Sequence, residues 1–337
     1  MTTRGRAGSL IRTSPRLREP LRRLLTTIGV HRPGTQEDIA IVSCKRAGST
    51  WLMHMIAATS GIRSVNEPDL PELVAKGGLP TGLEGVLDPH LQKVLEVPNG
   101  ADEQFRSYYF DGYITRIRGP YDPFSPSFHF LTHRRVLKIV HGTAIAEWFA
   151  EQRLFPVYLV RHPISSALSM VRSGTTARAE ANLRHEGFRT RFLNDELVTF
   201  AWSILESGSS LDGAVLEWCL DNLGPLRAVN KRPERWMVLG YEELMLSAER
   251  LIPLLGRRLE LRHPERMLRV LRTPSPSTHS ESHAKLRQME PLDQLEAWQR
   301  DVDSTTEARL FEIVERFGID IYQLGTIMPT RPYRNLG

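Results

Sequence analysis

IAIVSCKRAGSTWLMHMIAATSG, residues 39–61, decides the fold. It begins with an apolar run, IAIVS at 39–43, that is typical of a buried strand. After CKRAGSTW at 44–51 the apolar residues recur at helical spacing and Gly61 marks a stop, so we expect a helix over 49–60. A loop that leaves a strand and enters a helix presents backbone N–H groups and the positive end of the helix dipole. The stretch therefore predicts an anion-binding loop in an α/β fold.

The rest of the chain repeats this alternation of strand and helix signals. Further apolar runs predict strands: RVLKIV at 135–140, FPVYLV at 155–160 and WMVLG at 236–240. Periodic patterns predict helices over 143–152, 163–174, 193–205 and 210–222. We therefore expect a three-layer α/β domain, with a mostly parallel central sheet flanked by helices. Such sheets bind ligands at the carboxyl ends of their strands.

The composition is that of an ordinary globular protein, with 337 residues of which 41% are hydrophobic and 25% charged. It excludes disordered, collagen-like and disulfide-rich classes. Cys44 and Cys219 stand far apart without a metal-binding spacing, so neither a zinc site nor a disulfide framework is predicted. No apolar run approaches the roughly 18 residues of a membrane span, and the N-terminus lacks the apolar core of a signal peptide. We expect a cytoplasmic protein.

The net charge of +5 and the pI near 9.3 permit an anionic partner. Residues 1–32 carry eight arginines against Glu19 alone, with leucines at helix-like spacing. Two interpretations stay open for this segment: a helix in peripheral contact with a membrane or a partner, or a solvated extension. The remainder is near neutral, so no nucleic-acid partner is predicted. We expect a basic N-terminal extension at 1–35, a single domain at 36–325 and a C-terminal tail at 326–337.

The loop at 44–51 has the composition of a phosphate cradle. Gly48 lets the backbone approach an anion, Ser49 and Thr50 add hydroxyl donors, and Lys45 and Arg46 add positive charge. The loop is not a Walker A sequence, because GxxxxGK[ST] needs an earlier glycine and a lysine where Ser49 stands. Hydrolysis of ATP or GTP therefore loses support.

A second motif, RHPISSALS at 161–169, follows the FPVYLV strand. Arg161 lies at the carboxyl end of that strand, and Pro163 occupies the first position of the next helix. Ser169 falls almost two turns into this helix, on a face that can look back toward the strand end. One interpretation is that Arg161 and Ser169 share a further phosphate. The alternative is a surface ion pair and a packing residue.

Together, CKRAGSTW and VYLVRHPISSALS resemble the paired nucleotide-binding motifs of sulfotransferases that use 3′-phosphoadenosine 5′-phosphosulfate (PAPS). The first family motif is K/R-S-G-T/S-T/S before an aromatic or apolar residue, which RAGSTW at 46–51 matches apart from Ala47. The second, R-x-P-x-x-x-x-x-S, is matched at 161–169. VLGYEELM at 238–245 is similar to the family's Y-E-D-L segment, with Glu243 in place of aspartate. The closest likeness in motif is to carbohydrate-type and bacterial members.

This resemblance implies a P-loop-like fold, PAPS as co-substrate, 3′-phosphoadenosine 5′-phosphate (PAP) as product, and no metal. Arg46 would stabilise the charge that builds on the leaving phosphate, Arg161 and Ser169 would bind the 3′-phosphate, and Trp51 would stack on adenine. Tyr241 would line the same pocket. The nucleotide-binding residues that the resemblance implies are Lys45, Arg46, Ala47, Gly48, Ser49, Thr50, Trp51, Arg161, Ser169 and Tyr241.

Two residues compete for the role of the base that takes the proton of the acceptor hydroxyl. Glu67, in SVNEPDL, resembles the Glu-Pro pair of carbohydrate sulfotransferases and is our first choice. His141, after RVLKIV, resembles the histidine of the cytosolic enzymes that act on phenols and steroids. Lys138 is a candidate electrostatic helper.

The predicted function is transfer of a sulfuryl group from PAPS to a hydroxyl of a sugar, a glycolipid or a small metabolite. Two alternatives remain open. One is a P-loop-like phosphotransferase, which needs a Walker lysine and a magnesium-binding acid. The other is a non-catalytic binding protein that keeps the fold.

Overall fold

The computed structural model describes residues 30–68, 93–97, 99–100, 102–106, 128–174, 178–271 and 289–330. The predictions for the basic segment at 1–29, and for most of the tail at 326–337, lie outside the described residues. Among the described helices, none combines the length and the apolar character that crossing a bilayer requires.

The central sheet has five strands within the described ranges, and all of its neighbouring pairs are parallel. The strands in chain order are β1 (Val30–His31), β2 (Asp38–Val42), β3 (Ile62–Asn66), β4 (Leu131–Thr132), β5 (Arg134–Ile139), β6 (Leu154–Val160) and β7 (Met237–Gly240). Their order in the central sheet is β3-β5-β2-β6-β7, while β1 and β4 form a separate parallel pair. The predicted parallel sheet is confirmed.

Helices cover both faces of this sheet. In chain order they are α1 (Ser49–Ala57), α2 (Asp102–Arg106), α3 (Ala146–Glu151), α4 (Pro163–Ser173), α5 (Ala179–Arg184), α6 (Glu186–Phe192), α7 (Asp195–Ser207), α8 (Ser210–Lys231), α9 (Tyr241–Leu246), α10 (Ala248–Arg258), α11 (Arg266–Leu271), α12 (Pro291–Leu295) and α13 (Ser304–Arg316). Short 3₁₀ turns lie at Thr143–Ile145, Pro233–Arg235 and Ala297–Arg300.

The central strand β2 shows why three layers form. Successive side chains of a strand point to opposite faces, and those of Ile39 to Val42 are all fully buried. Ala40 and Val42 join a core with α4, α8 and α13, whereas Ile39 and Ile41 join a core with α1, α10 and α11. The predicted α/β class with helices on both faces is thereby confirmed.

Two elements differ from the expectations. β3, with the mixed sequence IRSVN, was not predicted, because it is an edge strand without an apolar run. α8 continues to Lys231 although Gly224 and Pro225 favour a stop near 222. The backbone of Gly224 lies so close to that of Thr143 that a side chain would collide with it. Close packing of α8 against the 3₁₀ turn at Thr143–Ile145 therefore explains why a glycine stands at 224 and why the helix continues past it.

Candidate functional site

The predicted site residues gather at the carboxyl edge of the sheet, because parallel strands end on the same side. The loop at 43–48 follows β2, Glu67 follows β3 and His141 follows β5. Arg161 follows β6, and Tyr241 follows β7. Residues that are far apart in the sequence thus meet at one edge.

The loop before α1 has a backbone suited to an anion. Gly48 adopts φ 95°, and a Cβ atom there would lie 2.7 Å from Cδ2 of Tyr241. Arg46 also lies in the left-handed region, with φ 64°. The first turn of α1 contains no acidic residue, and the first four N–H groups of a helix have no partner within it. Positive potential is therefore left uncompensated where the loop meets the helix.

Two arginines and a serine converge on this loop. Nε of Arg46 donates to Oγ of Ser169 (2.9 Å), and Nη1 of Arg161 donates to the carbonyl oxygen of Arg46 (3.1 Å). Nε of Arg161 is buried and has no hydrogen-bond partner among the described residues. Within the same ranges, no carboxylate lies within 4 Å of either guanidinium. Burial and the neighbouring Arg161 lower the pKa of Arg46, so an anion bound here would relieve an unfavourable concentration of charge.

The two aromatic candidates pack against each other below the arginines. The rings of Trp51 and Tyr241 meet edge to face at 5.3 Å, and the guanidinium of Arg161 lies 4.6 Å from the centre of the Tyr241 ring. Trp51 is only 6% exposed, and its Nε1 donates to the carbonyl oxygen of Leu271 (3.0 Å). The Trp51 side chain thus belongs to the core, and its stacking on adenine stays a prediction.

Both candidate bases belong to one connected group. Nζ of Lys138 donates to Oγ1 of Thr50 (2.8 Å) and to Oε1 of Glu67 (2.5 Å). Oε2 of Glu67 lies 3.7 Å from Nε2 of His141. On the other side of the His141 ring, Nδ1 lies 3.5 Å from Nη1 of Arg178. Thr50 connects this group to the anion-binding loop.

The Glu67 carboxylate is held in its ionised form. Burial alone raises its pKa, but the adjacent His141 ring and the charge and hydrogen bond of Lys138 outweigh it and lower the pKa to about 2. The backbone of Glu67 has φ 48°, so it shares the left-handed conformation of Arg46. Strained non-glycine residues of this kind cluster at functional sites. Two of the four in the described chain belong to this site.

Lys45 lies apart from the other loop residues. Its Nζ donates to Oε1 of Glu217 (2.7 Å), and its side chain is 8% exposed. Burial lowers the pKa of Lys45 to about 8, although the charge of Glu217 acts in the opposite direction. Ala47 and Ser49 are also buried.

Sequence reasoning missed Glu217, Asp221, Lys93 and Arg178. A signal for the first two exists, because AVLEWCLD at 214–221 places two acids four residues apart in an otherwise apolar stretch. Lys93 and Arg178 stand in stretches without periodicity and carry no comparable signal.

No group of three or more histidine, cysteine, aspartate or glutamate side chains that could hold a metal occurs in the part of the chain that the structure describes. Metal independence stays a prediction.

The fold and the site together define an α/β protein with a positively charged strand-to-helix loop at the carboxyl edge of a parallel sheet. Sulfotransferase domains are among the solved structures that are similar to it. The domain from the curacin biosynthetic pathway has 16% identity and a TM-score of 0.44, with coverage of 85% of this chain and 99% of that one. The domain from the Synechococcus PCC 7002 olefin synthase has 14% identity and a TM-score of 0.43, with coverage of 87% and 98%.

No model of a protein family and no curated protein matches the chain. Similarity at these identities and TM-scores carries no argument about activity. A function for the chain has to be inferred from the site residues described above.

Proposed function

We propose that this protein is a PAPS-dependent sulfotransferase that acts on a hydroxyl group of a sugar, a glycolipid or a small metabolite. The observation that carries the proposal is the convergence of Arg46, Arg161 and Ser169 on the loop at Gly48. Two guanidinium groups and a hydroxyl beside a helix N-terminus fit a nucleotide with two separate phosphate positions. A 3′-phosphate in addition to a 5′-phosphate is what distinguishes PAPS from ATP.

The donor half of the site comprises Arg46, Gly48, Ser49, Arg161, Ser169 and Tyr241, with Thr50 at its border with the acceptor half. In our proposal the backbone N–H groups of the loop and the hydroxyls of Ser49 and Thr50 hold the 5′-phosphosulfate. Arg161 and Ser169 take the 3′-phosphate, for which the unpartnered Nε of Arg161 is a ready donor. Arg46 stabilises the negative charge that the 5′-phosphate acquires as it leaves.

The acceptor half comprises Thr50, Glu67, Lys138 and His141. The acceptor oxygen attacks the sulfur atom, the bond between sulfur and the 5′-phosphate oxygen breaks, PAP leaves, and the hydroxyl proton passes to a base. A base works best when its pKa is near the operating pH, and a carboxylate with a pKa of about 2 is a poor match. We assign the proton to His141 and a positioning role to Glu67, which reverses the ranking from the sequence.

Calorimetric titration with PAP, AMP and ATP, with and without magnesium, tests the proposal. We expect binding of PAP that needs the 3′-phosphate and is unaffected by magnesium. A preference for magnesium-ATP would instead support a P-loop-like phosphotransferase. Absence of nucleotide binding by a folded sample would support a non-catalytic protein.

The acceptor class is then found by screening with radiolabelled PAPS. A panel of monosaccharides, glycolipids, small aliphatic alcohols and phenols covers the proposed classes. We expect labelled sulfate on a hydroxyl-bearing compound. If PAP binds and no hydroxyl compound in any class is labelled, the catalytic part of the proposal is wrong.

A further inference from the structure

Four charged side chains lie in the core beneath the anion-binding loop. They are Lys45, Lys93, Glu217 and Asp221, and none is more than 8% exposed. Nζ of Lys93 donates to Oδ1 of Asp221 (2.6 Å) and to Oδ1 of Asn182 (2.6 Å), just as Nζ of Lys45 donates to Glu217. The group is neutral as a whole, because two ammonium groups face two carboxylates.

The group consists of two ion pairs on consecutive turns of α8, joined by a longer contact of 3.8 Å between Nζ of Lys93 and Oε1 of Glu217. Glu217 and Asp221 are four residues apart and therefore lie on the same face of the helix. Only Glu217 reaches the anion-binding loop, through Lys45. Its second oxygen accepts a hydrogen bond from the backbone N–H of Arg178 (3.4 Å), next to the acceptor half. The Asp221 pair has the same chemistry and burial, and within the described ranges the hydrogen bonds of Lys93 go to Asn182 and Asp221 and not to the loop.

Ion pairs in a core are expensive, since the desolvation of two charges often exceeds their attraction. A buried pair is therefore better explained by what it positions than by the stability that it adds. Lys45 immediately precedes Arg46, whose left-handed backbone starts the turn into the loop. The contact of Lys45 with the buried Glu217 therefore fixes the chain at the point where it leaves β2.

We propose that Glu217 is a positioning residue for the donor half: by holding Lys45 from below, it keeps the loop at 45–48 in its anion-binding conformation before the anion arrives. The identity of the anion as PAPS or PAP rests on the proposed function above. In this assignment Lys45 acts through its contact with Glu217 and is not itself a ligand of the phosphosulfate.

The direction in which one substitution changes PAP affinity distinguishes a positioning role from simple electrostatics. Glu217→Gln removes a negative charge beneath an anion site, so electrostatics alone would strengthen the binding of PAP. Positioning predicts the opposite, a loss of about tenfold in PAP affinity, because the loop loses its anchor. Calorimetry at fixed ionic strength measures the change. Unchanged or tighter binding by a folded Glu217→Gln sample would overturn the proposal.

A second variant covers the case in which Glu217→Gln does not fold. The double variant Lys45→Met with Glu217→Gln removes both charges and leaves the Lys93 and Asp221 pair intact. We expect the same loss of about tenfold, since the two substitutions break one contact and their effects do not add. Wild-type affinity, or a loss larger than about a hundredfold, would overturn the proposal, because the larger loss would make Lys45 a ligand.

The matched control is the double variant Lys93→Met with Asp221→Asn, which removes the neighbouring pair. We expect its PAP affinity to stay within about twofold of wild type, because Glu217 keeps its contact of 2.7 Å with Lys45 and loses only the longer contact of 3.8 Å with Lys93. An equal loss of affinity in this control would show that any damage to the buried charges loosens the site. The specific role of Glu217 would then be wrong.

Hydrogen exchange of the free protein tests the positioning without any nucleotide. We expect the backbone amides at 45–51 to exchange faster in Glu217→Gln than in wild type or in the control. Unchanged exchange there would overturn the inference even if PAP binds. If wild type fails to bind PAP while the exchange result holds, the proposed function is wrong and the positioning role stands.

Discussion

The donor half and the acceptor half are built from the same edge of the sheet, but they handle charge differently. In the donor half, Arg46 and Arg161 lie side by side, and no described carboxylate lies within 4 Å of either. In the acceptor half, the ammonium of Lys138 lies 2.5 Å from the carboxylate of Glu67. The first half holds two guanidinium groups without a carboxylate at contact distance among the described residues, whereas the second pairs a cation with an anion.

This difference teaches which property each half controls. A cluster of uncompensated cations gains most from a charged ligand, so the donor half should control nucleotide affinity. In our proposal the lysine, carboxylate and imidazole of the acceptor half serve proton transfer, so the acceptor half should control the rate. Substitutions in the two halves should therefore change different measured quantities.

The largest effect is expected from His141→Gln. Loss of the base should lower the rate of sulfuryl transfer by about 10²–10⁴, while PAP affinity stays near that of wild type. Single-turnover transfer from radiolabelled PAPS, with the acceptor found in the screen, measures the rate, and calorimetry measures the affinity.

Glu67→Gln is the companion substitution, because it keeps the shape and removes the charge. Because we assign Glu67 a positioning role, Glu67→Gln should lower the transfer rate less than His141→Gln does. It should also shift the pH profile of the remaining activity. If Glu67→Gln abolishes transfer while His141→Gln retains it, the carboxylate is the base, as the sequence first suggested.

Arg161→Ala tests the donor half with the next largest effect. The substitution removes charge-assisted hydrogen bonds worth about 1.5–3 kcal/mol, so PAP affinity should fall roughly 10–150-fold. AMP has no 3′-phosphate, and its affinity should hardly change. Equal losses for PAP and AMP would remove the assignment of the 3′-phosphate to Arg161.

The stability of the acceptor half should depend on acid in a predictable direction. The Glu67 pKa is lowered from 4.5 to about 2, so the folded state favours the carboxylate, and this stabilisation is present above 4.5 and lost as the pH falls toward 2. Between pH 5 and pH 3, wild type should lose about 2 kcal/mol of unfolding free energy relative to Glu67→Gln. Urea unfolding at each pH measures the free energy of unfolding of both proteins. An equal change with pH in both would contradict the lowered pKa of Glu67.

Gly48→Ala should have the smallest effect on PAP affinity. A side chain at φ 95° costs about 1–2 kcal/mol, and its Cβ must displace the Tyr241 ring, so PAP affinity should fall about tenfold. Gly318→Ala is the control, because Gly318 has φ 66° and open space around it. That variant should lose stability and keep its affinity. Equal affinity losses in both would show that the loop geometry is not specific.

The donor half could be predicted from the sequence because its signals are local. The loop at 44–51 and the motif at 161–169 each carry their glycine, proline or arginine at fixed spacing, and the parallel sheet then brings them together. The central strands were equally readable, since burial on both faces demands continuous apolar runs.

The acceptor half could be predicted only as separate candidates. Glu67 and His141 were treated as competitors, because the strand β3 that places Glu67 beside β5 lacks an apolar signature. Their contact follows from strand pairing, which a single sequence does not reveal. The buried pair of Lys45 and Glu217 was missed because 172 positions separate the two residues and only tertiary packing of α8 beneath the loop brings them together.

The position of β2 at the centre of the sheet also affects synthesis of the protein. Both of its partners, β5 and β6, come from segments roughly 100 residues further along the chain. At about 5–20 residues per second, a ribosome delivers the first of them about 5–20 s after β2. During this interval the apolar segment at 39–42 has no native partner, which makes it a natural early target for a chaperone that binds short apolar sequences.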